Sequence, residues 1–361
     1  MKQWQETTAI LDHLAALARA GKRAVLATVV HIEGSAYRRA GAKLLIEESG
    51  ATMGGVSGGC LEADVRGIAL AALADGRPRL KHYDTGSDEN MIWGLGLGCN
   101  GAVDVFVQPV TSEAIRETLE AERQLLAGDE RFASGTVVVG DSGLWGRSLL
   151  MSASGTATGS TTNPKLDRQV QRFCAHQIKT GESLLQDVAD VKVFVEVCIP
   201  PPRLMIFGAG DDAMPLCASA AAVGFRVTVV DHRPAFLSRD RFPDALALNE
   251  SRPDNARIEV TGDTFAITMT HSLKHDTDWV KYLLSTDVSY IGMLGPRQRT
   301  QEILESVGGL GDSRVFGPVG LDIGADGPEQ VAASVVAELL AVHSKRDPRH
   351  LREREGAINV R

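Results

Sequence analysis

Apolar residues in the first part of the chain change from helical spacing to strand-like runs and back. The opening segment places one apolar face on a helix, at Ile10, Leu11, Leu14, Leu17 and Ala18. Two β-rich runs follow it, Arg23–Val30 and Ala42–Ile46. Helical spacing then returns at Leu61, Val65, Ile68, Ala72 and Leu73. This order predicts a domain in which helices and strands are mixed.

The same pattern continues to the middle of the chain. It predicts short strands at Leu80–Tyr83, Val103–Val107, Thr136–Val139, Leu149–Met151 and Val191–Val197. It predicts surface helices at Ser112–Ala127 and Lys165–Lys179, and a loop at Ser152–Asn163. Three successive prolines, Pro200–Pro202, then predict a stiff linker. We therefore expect an α/β domain over residues 1–198 and a linker over 199–203.

The second half opens with a short apolar strand, Leu204–Phe207, that runs into a glycine-rich turn. The turn, Gly208-Ala209-Gly210-Asp211-Asp212-Ala213, fits the pattern G-x-G-x-x-A. A helix through Ala222 and a second strand, Arg226–Val230, follow, and Asp231 comes about 20 residues after the turn. A strand, turn, helix, strand and acid in this order predict a Rossmann-like, doubly wound parallel sheet over residues 204–345.

Later apolar runs agree with that sheet. They predict strands at Thr264–His271 and Val288–Leu294, a short strand near Val315, and helices at Asp276–Ser285, Arg297–Val307 and Pro328–Val342. The last segment, 346–361, carries charges of both signs and is typical of a solvated tail.

Composition narrows the class of protein. Of the 361 residues 43% are hydrophobic, enough for two full-sized cores, and the net charge of −8 argues against nucleic acid as a partner. No apolar run reaches the roughly 18 residues that a membrane span needs. The cysteines are five, an odd number, and scattered, which predicts free thiols in a reducing cytoplasm.

The first candidate site is the turn Gly54–Gly59, which delivers Cys60 to the start of a helix. Glycines let backbone N–H groups approach a ligand, and a helix start adds unpaired donors and partial positive charge. We expect Ser57, Gly58 and Gly59 to donate N–H groups to an anion, with the Cys60 thiolate beside them. Glu62 lies in the first helical turn, and its negative charge opposes the bias of the Cys60 thiol toward the thiolate form. The alternative is a tight turn with a small buried cysteine.

A second glycine-rich loop, Asp84–Gly101, presents Cys99 after Gly98. The two loops together suggest a clasp with one cysteine on each side. Neither cysteine belongs to a CxxC or Cys/His pattern of the kind that holds structural zinc.

Candidate residues of the second half lie where parallel strands end, the edge at which such sheets bind ligands. They are Gly208, Gly210, Asp231, His271, Arg297 and Asp322. Asp231 would accept a ribose 2′-OH, and His271 is a candidate acid, base or phosphate donor. Asp211 and Asp212 would repel a pyrophosphate, so we expect weak or no NAD(P) binding. Local capping and solvated side chains are the alternatives for these residues.

Taken together, the motifs resemble those of the XdhC/CoxI family, accessory proteins of molybdenum hydroxylases such as xanthine dehydrogenase. In the first half the resemblance rests on Gly34-Ser35 through Arg38, Gly41-Ala42, Ser57–Glu62 and Gly96–Gly101. In the second half it rests on Pro201–Leu204, the Gly208 turn, Thr270-His271, Gly292–Arg297 and Gly320–Ala325. The chain departs from the pattern at Tyr37, where proline is expected, and at Asp211, where histidine is expected.

The resemblance implies a chaperone that binds the molybdenum cofactor, a pterin phosphate, and assists its sulfuration and insertion. Its implied partners are a molybdenum hydroxylase and a cysteine desulfurase, and we expect a homodimer. Cys60 and Cys99 become the candidate molybdenum ligands. No nucleophile–base pair points to hydrolysis, so a maturation factor is favoured over an enzyme. The alternatives are an NAD(P)-dependent oxidoreductase that uses Asp231 and His271, and a structural adaptor.

Overall fold

The computed structural model describes residues 1–34, 37–84, 101–141, 143–255 and 258–355. The chain divides into two compact units, one spanning Lys2–Pro200 and the other beginning at Pro201. None of the helices in these described ranges combines the length and the apolar character that crossing a membrane requires.

The N-terminal unit mixes helices and strands, as predicted. Its helices are α1 (Lys2–Arg19), α2 (Glu62–Asp75), α3 (Glu113–Leu126) and α4 (Pro164–Thr180). Its first strands are β1 (Ala24–Gly34), β2 (Lys43–Glu47), β3 (Thr52–Gly54), β4 (Arg79–Asp84) and β5 (Gly101–Pro109). Its later strands are β6 (Phe132–Val139), β7 (Ser148–Ser152), β8 (Ala157–Gly159), β9 (Leu184–Val188) and β10 (Val191–Cys198).

These strands form two antiparallel sheets with one topology. The first sheet has the order β3-β2-β1-β5-β4, and the second has β8-β7-β6-β10-β9. In each sheet a helix, α2 or α4, connects the third strand to the fourth. The unit is therefore built from two copies of one β-β-β-α-β-β module, a repeat that the apolar pattern alone did not predict.

Residue identities support the repeat. Gly41, Leu44, Leu45, Ser49, Gly50 and Gly54 of the first module match, at a constant offset, Gly146, Leu149, Leu150, Ser154, Gly155 and Gly159 of the second. Strand register agrees with the match. Thr28 on β1 faces Lys43 and Phe106, whereas Thr136 on β6 faces Ser148 and Phe194. Lys43 and Ser148 are thus equivalent positions of the two modules.

Each module buries one face of its sheet under its own helix. Val65, Ala69 and Ala72 of α2 pack onto the first sheet, and Leu166, Val170 and Cys174 of α4 pack onto the second. The predicted loop Ser152–Asn163 is wrong in part, because β8 pairs there with β7. A three-residue strand between glycine and serine positions gives too little alternation to be recognised.

The second unit confirms the predicted Rossmann-like fold. Its strands are β11 (Arg203–Phe207), β12 (Arg226–Asp231), β13 (Ala247–Glu250), β14 (Thr264–Thr268), β15 (Tyr290–Met293) and β16 (Val315–Phe316). They form one parallel sheet in the order β13-β12-β11-β14-β15-β16, the arrangement typical of dinucleotide-binding domains. Its helices are α5 (Ala213–Ala222), α6 (Leu273–Leu284), α7 (Arg297–Val307) and α8 (Pro328–Ser344).

Candidate functional site

The Cys60 loop connects β3 to α2 in the first module. Cys60 lies immediately before Leu61, the N-cap residue of α2, so the predicted position at a helix start is confirmed. The cysteine is half-buried, and one side of it packs against the core beneath α2. A Cβ atom at Gly54 would collide with the Lys43 carbonyl oxygen, which is why glycine is required where the loop leaves β3.

The carboxylate of Glu62 holds this loop from inside. The N–H groups of Val56 and Ser57 donate to Glu62 Oε1, at 3.2 and 2.9 Å, and the Ser57 hydroxyl donates to Glu62 Oε2. Burial raises the pKa of Glu62, but these hydrogen bonds outweigh burial and lower the net pKa. Glu62 is therefore an ionised anchor of the loop.

Ser57 closes the other half of the turn. Its hydroxyl oxygen accepts hydrogen bonds from the N–H groups of Gly59 and Leu61, each at 3.1 Å. The N–H groups of Ser57 and Gly59, which were expected to bind an anion, thus already donate within the loop. The internal carboxylate of Glu62 stands where an external anion was expected.

The second module has a matching device. Asp167 in the first turn of α4 accepts from the Thr161 N–H group at 2.7 Å and from the Ser160 hydroxyl at 2.6 Å. No cysteine stands in that loop, which reads Ser160-Thr161-Thr162-Asn163. The thiol is therefore specific to the first of two otherwise similar loops.

Tyr37, one of the two positions at which the chain departs from the family pattern, lies over the Cys60 loop. Its side chain is 74% exposed, and its ring lies over Gly58, where a Cβ atom would be 3.4 Å from the ring Cγ. Gly98 and Cys99, the second half of the predicted clasp, lie outside the described residues.

The glycine-rich turn of the second unit lies at the carboxyl end of β11, as predicted. A Cβ atom at Gly208 would be 2.9 Å from the Thr270 nitrogen and would collide with the Met269 carbonyl oxygen. A Cβ atom at Gly210 would be 2.8 Å from Asp212 Oδ1. Glycine is thus needed here for close approach of neighbouring protein groups.

Asp231 ends β12 and reaches back to this turn. Its Oδ2 atom accepts from the Ala209 N–H group at 2.8 Å and from Arg233 Nη2 at 2.8 Å, and its Oδ1 atom accepts from Arg233 Nε at 2.9 Å. Burial raises the pKa of Asp231, but the hydrogen bonds from Arg233 and from the backbone outweigh it and lower the pKa to about 2. The carboxylate is engaged by protein donors.

The two acids of the turn are each paired with a base. Asp211 accepts from Arg241 at 2.9 Å, and Asp212 contacts His271 Nε2 at 2.9 Å. His271 has a φ of 59°, a left-handed conformation that is uncommon for a residue other than glycine. Gly208, Gly210, Asp231 and His271 therefore do come together around one turn.

Arg297 and Asp322 do not join that group. Both are exposed, and within the described ranges neither side chain makes a hydrogen bond or an ion pair. Arg299 was not among the candidates from the sequence. It donates to the buried Asp276 carboxylate at 2.6 Å. A buried carboxylate is commonly paired with a cation, but one sequence does not show which of two nearby arginines provides it.

In the part of the chain that the structure describes, no cluster of at least three histidine, cysteine or acidic side chains could enclose a metal ion. Cys60 therefore offers a single thiol, which could contact a metal that brings its other ligands with it.

Two family models match the chain. The model of the XdhC and CoxI family matches residues 17–84, which include the Cys60 loop. The model of the XdhC Rossmann domain matches residues 204–339.

Relatives of known name match almost the whole length. A protein of Bacillus subtilis described as a probable xanthine dehydrogenase subunit is 35% identical over 92% of this chain and 97% of its own. The molybdenum cofactor insertion chaperone PaoD of Escherichia coli is 27% identical over 91% of this chain and 86% of its own. A crystal structure described as a xanthine dehydrogenase from Bacillus halodurans is 31% identical, covers 94% of this chain and 96% of its own, and superposes with a TM-score of 0.76.

Removing the carboxylate of Glu62 should loosen the Cys60 loop. Hydrogen bonds to a charged group contribute about 1.5–3 kcal/mol, so in Glu62→Ala the Val56, Ser57, Gly59 and Leu61 amides should exchange hydrogen roughly 10- to 100-fold faster. Asp167→Ala is the matched control, because it should accelerate exchange at Thr161 and leave the Cys60 loop protected. Unchanged protection of the loop in Glu62→Ala would show that Glu62 does not hold it.

Binding of NAD(P) should be weak. Asp211 and Asp212 place carboxylates where a pyrophosphate would lie, and Asp231 is already occupied by Arg233. We expect calorimetry to give dissociation constants in the millimolar range or weaker for all four nicotinamide dinucleotides. Micromolar affinity that disappears in Asp231→Ala would contradict this expectation.

Proposed function

The chain belongs to the XdhC and CoxI family, and we propose that it binds the molybdenum cofactor and assists its sulfuration and its insertion into a hydroxylase of the xanthine dehydrogenase type. An XdhC-type role in enzyme maturation is what its named relatives support. The observation that carries this proposal is the half-buried Cys60 thiol, held on an anchored loop within the matched family segment.

The thiol suits the metal end of the cofactor. Thiolate is a soft ligand, and its sulfur can also accept or pass a sulfur atom. One or two protein ligands are appropriate for a cargo that must be released later, because a full set of protein ligands would hold it too firmly. We therefore assign Cys60 the contact with molybdenum, and we keep Cys99, with Gly98, as a second ligand on the basis of the sequence.

The other residues of the loop receive a different role. Because the Ser57 and Gly59 N–H groups and the Glu62 carboxylate are used in hydrogen bonds within the turn, we assign these three residues to positioning Cys60. Gly58 keeps the loop thin beneath the Tyr37 ring. An exposed aromatic ring over the loop that carries the thiol offers a surface on which a flat pterin could stack.

A chaperone of this kind must meet other proteins. We propose a transient complex with a molybdenum hydroxylase, a cysteine desulfurase as the sulfur source, and a homodimer as the working form. A reduced Cys60 is required, which is the state that thiols keep in the cytoplasm. We therefore place this activity in the cytoplasm.

The oxidoreductase alternative has one observation in its favour, the Rossmann strand order with Asp231 at the expected strand end. The ion pairs at the turn count against it. Asp231 is bound by Arg233, and His271 is bound by Asp212, so both residues of that hypothesis are engaged within the protein.

Replacement of Cys60 should abolish cofactor retention without unfolding the chain. Wild-type protein made in cells with an intact cofactor pathway should contain molybdenum and pterin. Cys60→Ser made in the same cells should fold normally and lose most of the metal. If Cys60 were only a core residue, the substitution would instead cost about 1 kcal/mol of stability and leave loading intact. Metal analysis and melting temperature separate the two roles.

The controls come from the other cysteines. Cys174→Ser changes a fully buried thiol in α4, the helix equivalent to α2, and should retain molybdenum. Cys99→Ser and the double variant with Cys60→Ser test the second ligand. Full molybdenum in all the Cys60 and Cys99 variants would make the thiol proposal wrong.

A further inference from the structure

A polar cavity of about 40 Å³ lies inside the N-terminal unit, away from the Cys60 loop. Equivalent residues of the two modules line it together: Thr28 with Thr136, Lys43 with Ser148, and Gln108 with Glu196. Such pairing is what a two-fold relation between the modules would produce. Helix α3, which connects the modules, closes the cavity with Thr118 and Glu122.

The equivalent positions differ in charge. Lys43 and Glu196 form a buried ion pair between the modules, with the Lys43 ammonium 2.7 and 2.6 Å from the two carboxylate oxygens. At the equivalent positions Ser148 and Gln108 are neutral, and Gln108 donates to the Gly146 carbonyl at 2.8 Å. The two modules thus contribute equivalent positions to the cavity, but in each of these two pairs of equivalent side chains only one is charged.

Lys43 has no donor left for a second acid. An ammonium group has three N–H donors, and those of Lys43 go to the two oxygens of Glu196 and to the Gly41 carbonyl at 3.3 Å. Glu122 is a second carboxyl group at the same cavity, only 5% exposed. Among the described residues its Oε1 atom has no hydrogen-bond partner.

An ionised carboxylate in this position would be buried without a partner of its own. Desolvation of such an ion costs several kcal/mol, and a buried carboxyl group avoids that cost by keeping its proton. The cavity has the polar character and the size for water, since each molecule needs roughly 10–15 Å³ of such space and 2–4 polar partners. The hydroxyls of Thr28 and Ser134 line the cavity. Those of Thr136 and Ser148 are hydrogen-bonded to each other at 2.9 Å and retain lone pairs that can accept from water.

We propose that this cavity is a hydrated proton site, in which the Glu122 carboxyl keeps its proton below neutral pH and ordered water joins its Oε1 atom to the hydroxyl groups of both modules. The site is independent of the cofactor and of the proposed function. Its ligand is a proton with a few water molecules, held at the junction of the repeat.

Among the described residues, three titratable groups act on Glu122 or lie close enough to be affected by it. Lys43 comes from β2, and Glu196 and Cys198 come from β10. From α1, Asp12 contacts Arg123 at 3.2 Å and does not enter the cavity, and Glu120 of α3 also pairs with Arg123. Burial raises the pKa of Glu122 to about 7, with Lys43 opposing the rise and Glu196 adding to it. Burial likewise raises the pKa of the Cys198 thiol, which stays neutral.

The stability of the folded N-terminal unit should fall as the pH rises. The pKa of Glu122 is about 7 in the folded chain, against an ordinary value of 4.5. The stabilising effect of the bound proton is therefore complete below about pH 4.5 and is lost as the pH rises through about 7. Over that interval the folding equilibrium of this unit should weaken by up to tenfold per pH unit.

The test compares Glu122→Gln, which mimics the protonated acid, with Glu117→Gln at an exposed position of the same helix. In infrared difference spectra between about pH 6 and about pH 8.5, wild type and Glu117→Gln should show a carboxylic-acid C=O band at the lower pH. Glu122→Gln should lack it. A band that persists in Glu122→Gln, or no band in wild type, would overturn the proposal.

A second measurement covers stability and keeps the proposal testable if the spectra are crowded. Hydrogen exchange of β1 and β6 amides in the full chain should show wild type losing protection relative to Glu122→Gln as the pH rises from about 5 to about 8. Equal pH dependence in the two proteins would contradict the proton site. Stabilisation of wild type alone by sodium chloride over choline chloride at about pH 8.5 would identify a cation site and overturn it as well.

Discussion

The N-terminal unit depends on the way Lys43 is held. Its side chain is bound by Glu196 of the other module, and its backbone carbonyl accepts from the Gly55 N–H group at 2.9 Å, where the Cys60 loop begins. One residue thus joins the two modules and sets the start of the candidate site. Removing one partner of a buried ion pair typically costs about 3–5 kcal/mol, a large share of the roughly 5–15 kcal/mol that stabilise a whole domain. Because all three of its donors are used in this way, Lys43 donates no hydrogen bond to Glu122.

The glycine-rich turns at Gly54–Gly59 and at Gly208 show a second constraint, which is that each turn must pack closely against other groups of the protein. Each has the composition of an anion site, and each is already satisfied by an acid of the chain itself, Glu62 in the N-terminal unit and Asp231 in the Rossmann unit. A glycine-rich turn therefore indicates close backbone approach, and the approaching group can be a protein carboxylate as readily as a ligand. In the first turn this leaves Cys60 as the group with chemistry to offer, and it makes the surrounding acid and hydroxyl a support for the thiol.

How much the sequence could predict differed between the two units. The Rossmann unit was predictable because its strand, turn, helix and acid are close together in sequence and each has its own local signal. The repeat was not recognised because its strands are short, its sheets antiparallel and its modules separated by α3. The matching Leu-Leu and Ser-Gly pairs at 44–50 and 149–155 were the available signal. The roles of Glu62 and Arg299 follow only from the structure, because each depends on which of several nearby polar groups a side chain reaches.

We propose that this chain delivers the molybdenum cofactor to an enzyme of the xanthine dehydrogenase type. The most direct measurement is transfer: protein loaded in cells is mixed with the purified apo form of such a hydroxylase, and the appearance of its activity is followed over time. We expect activity to appear together with loss of molybdenum from this chain, and faster than with the same amount of free cofactor. Loaded protein that keeps its molybdenum, or that activates the apo-enzyme no better than free cofactor does, would contradict the claim.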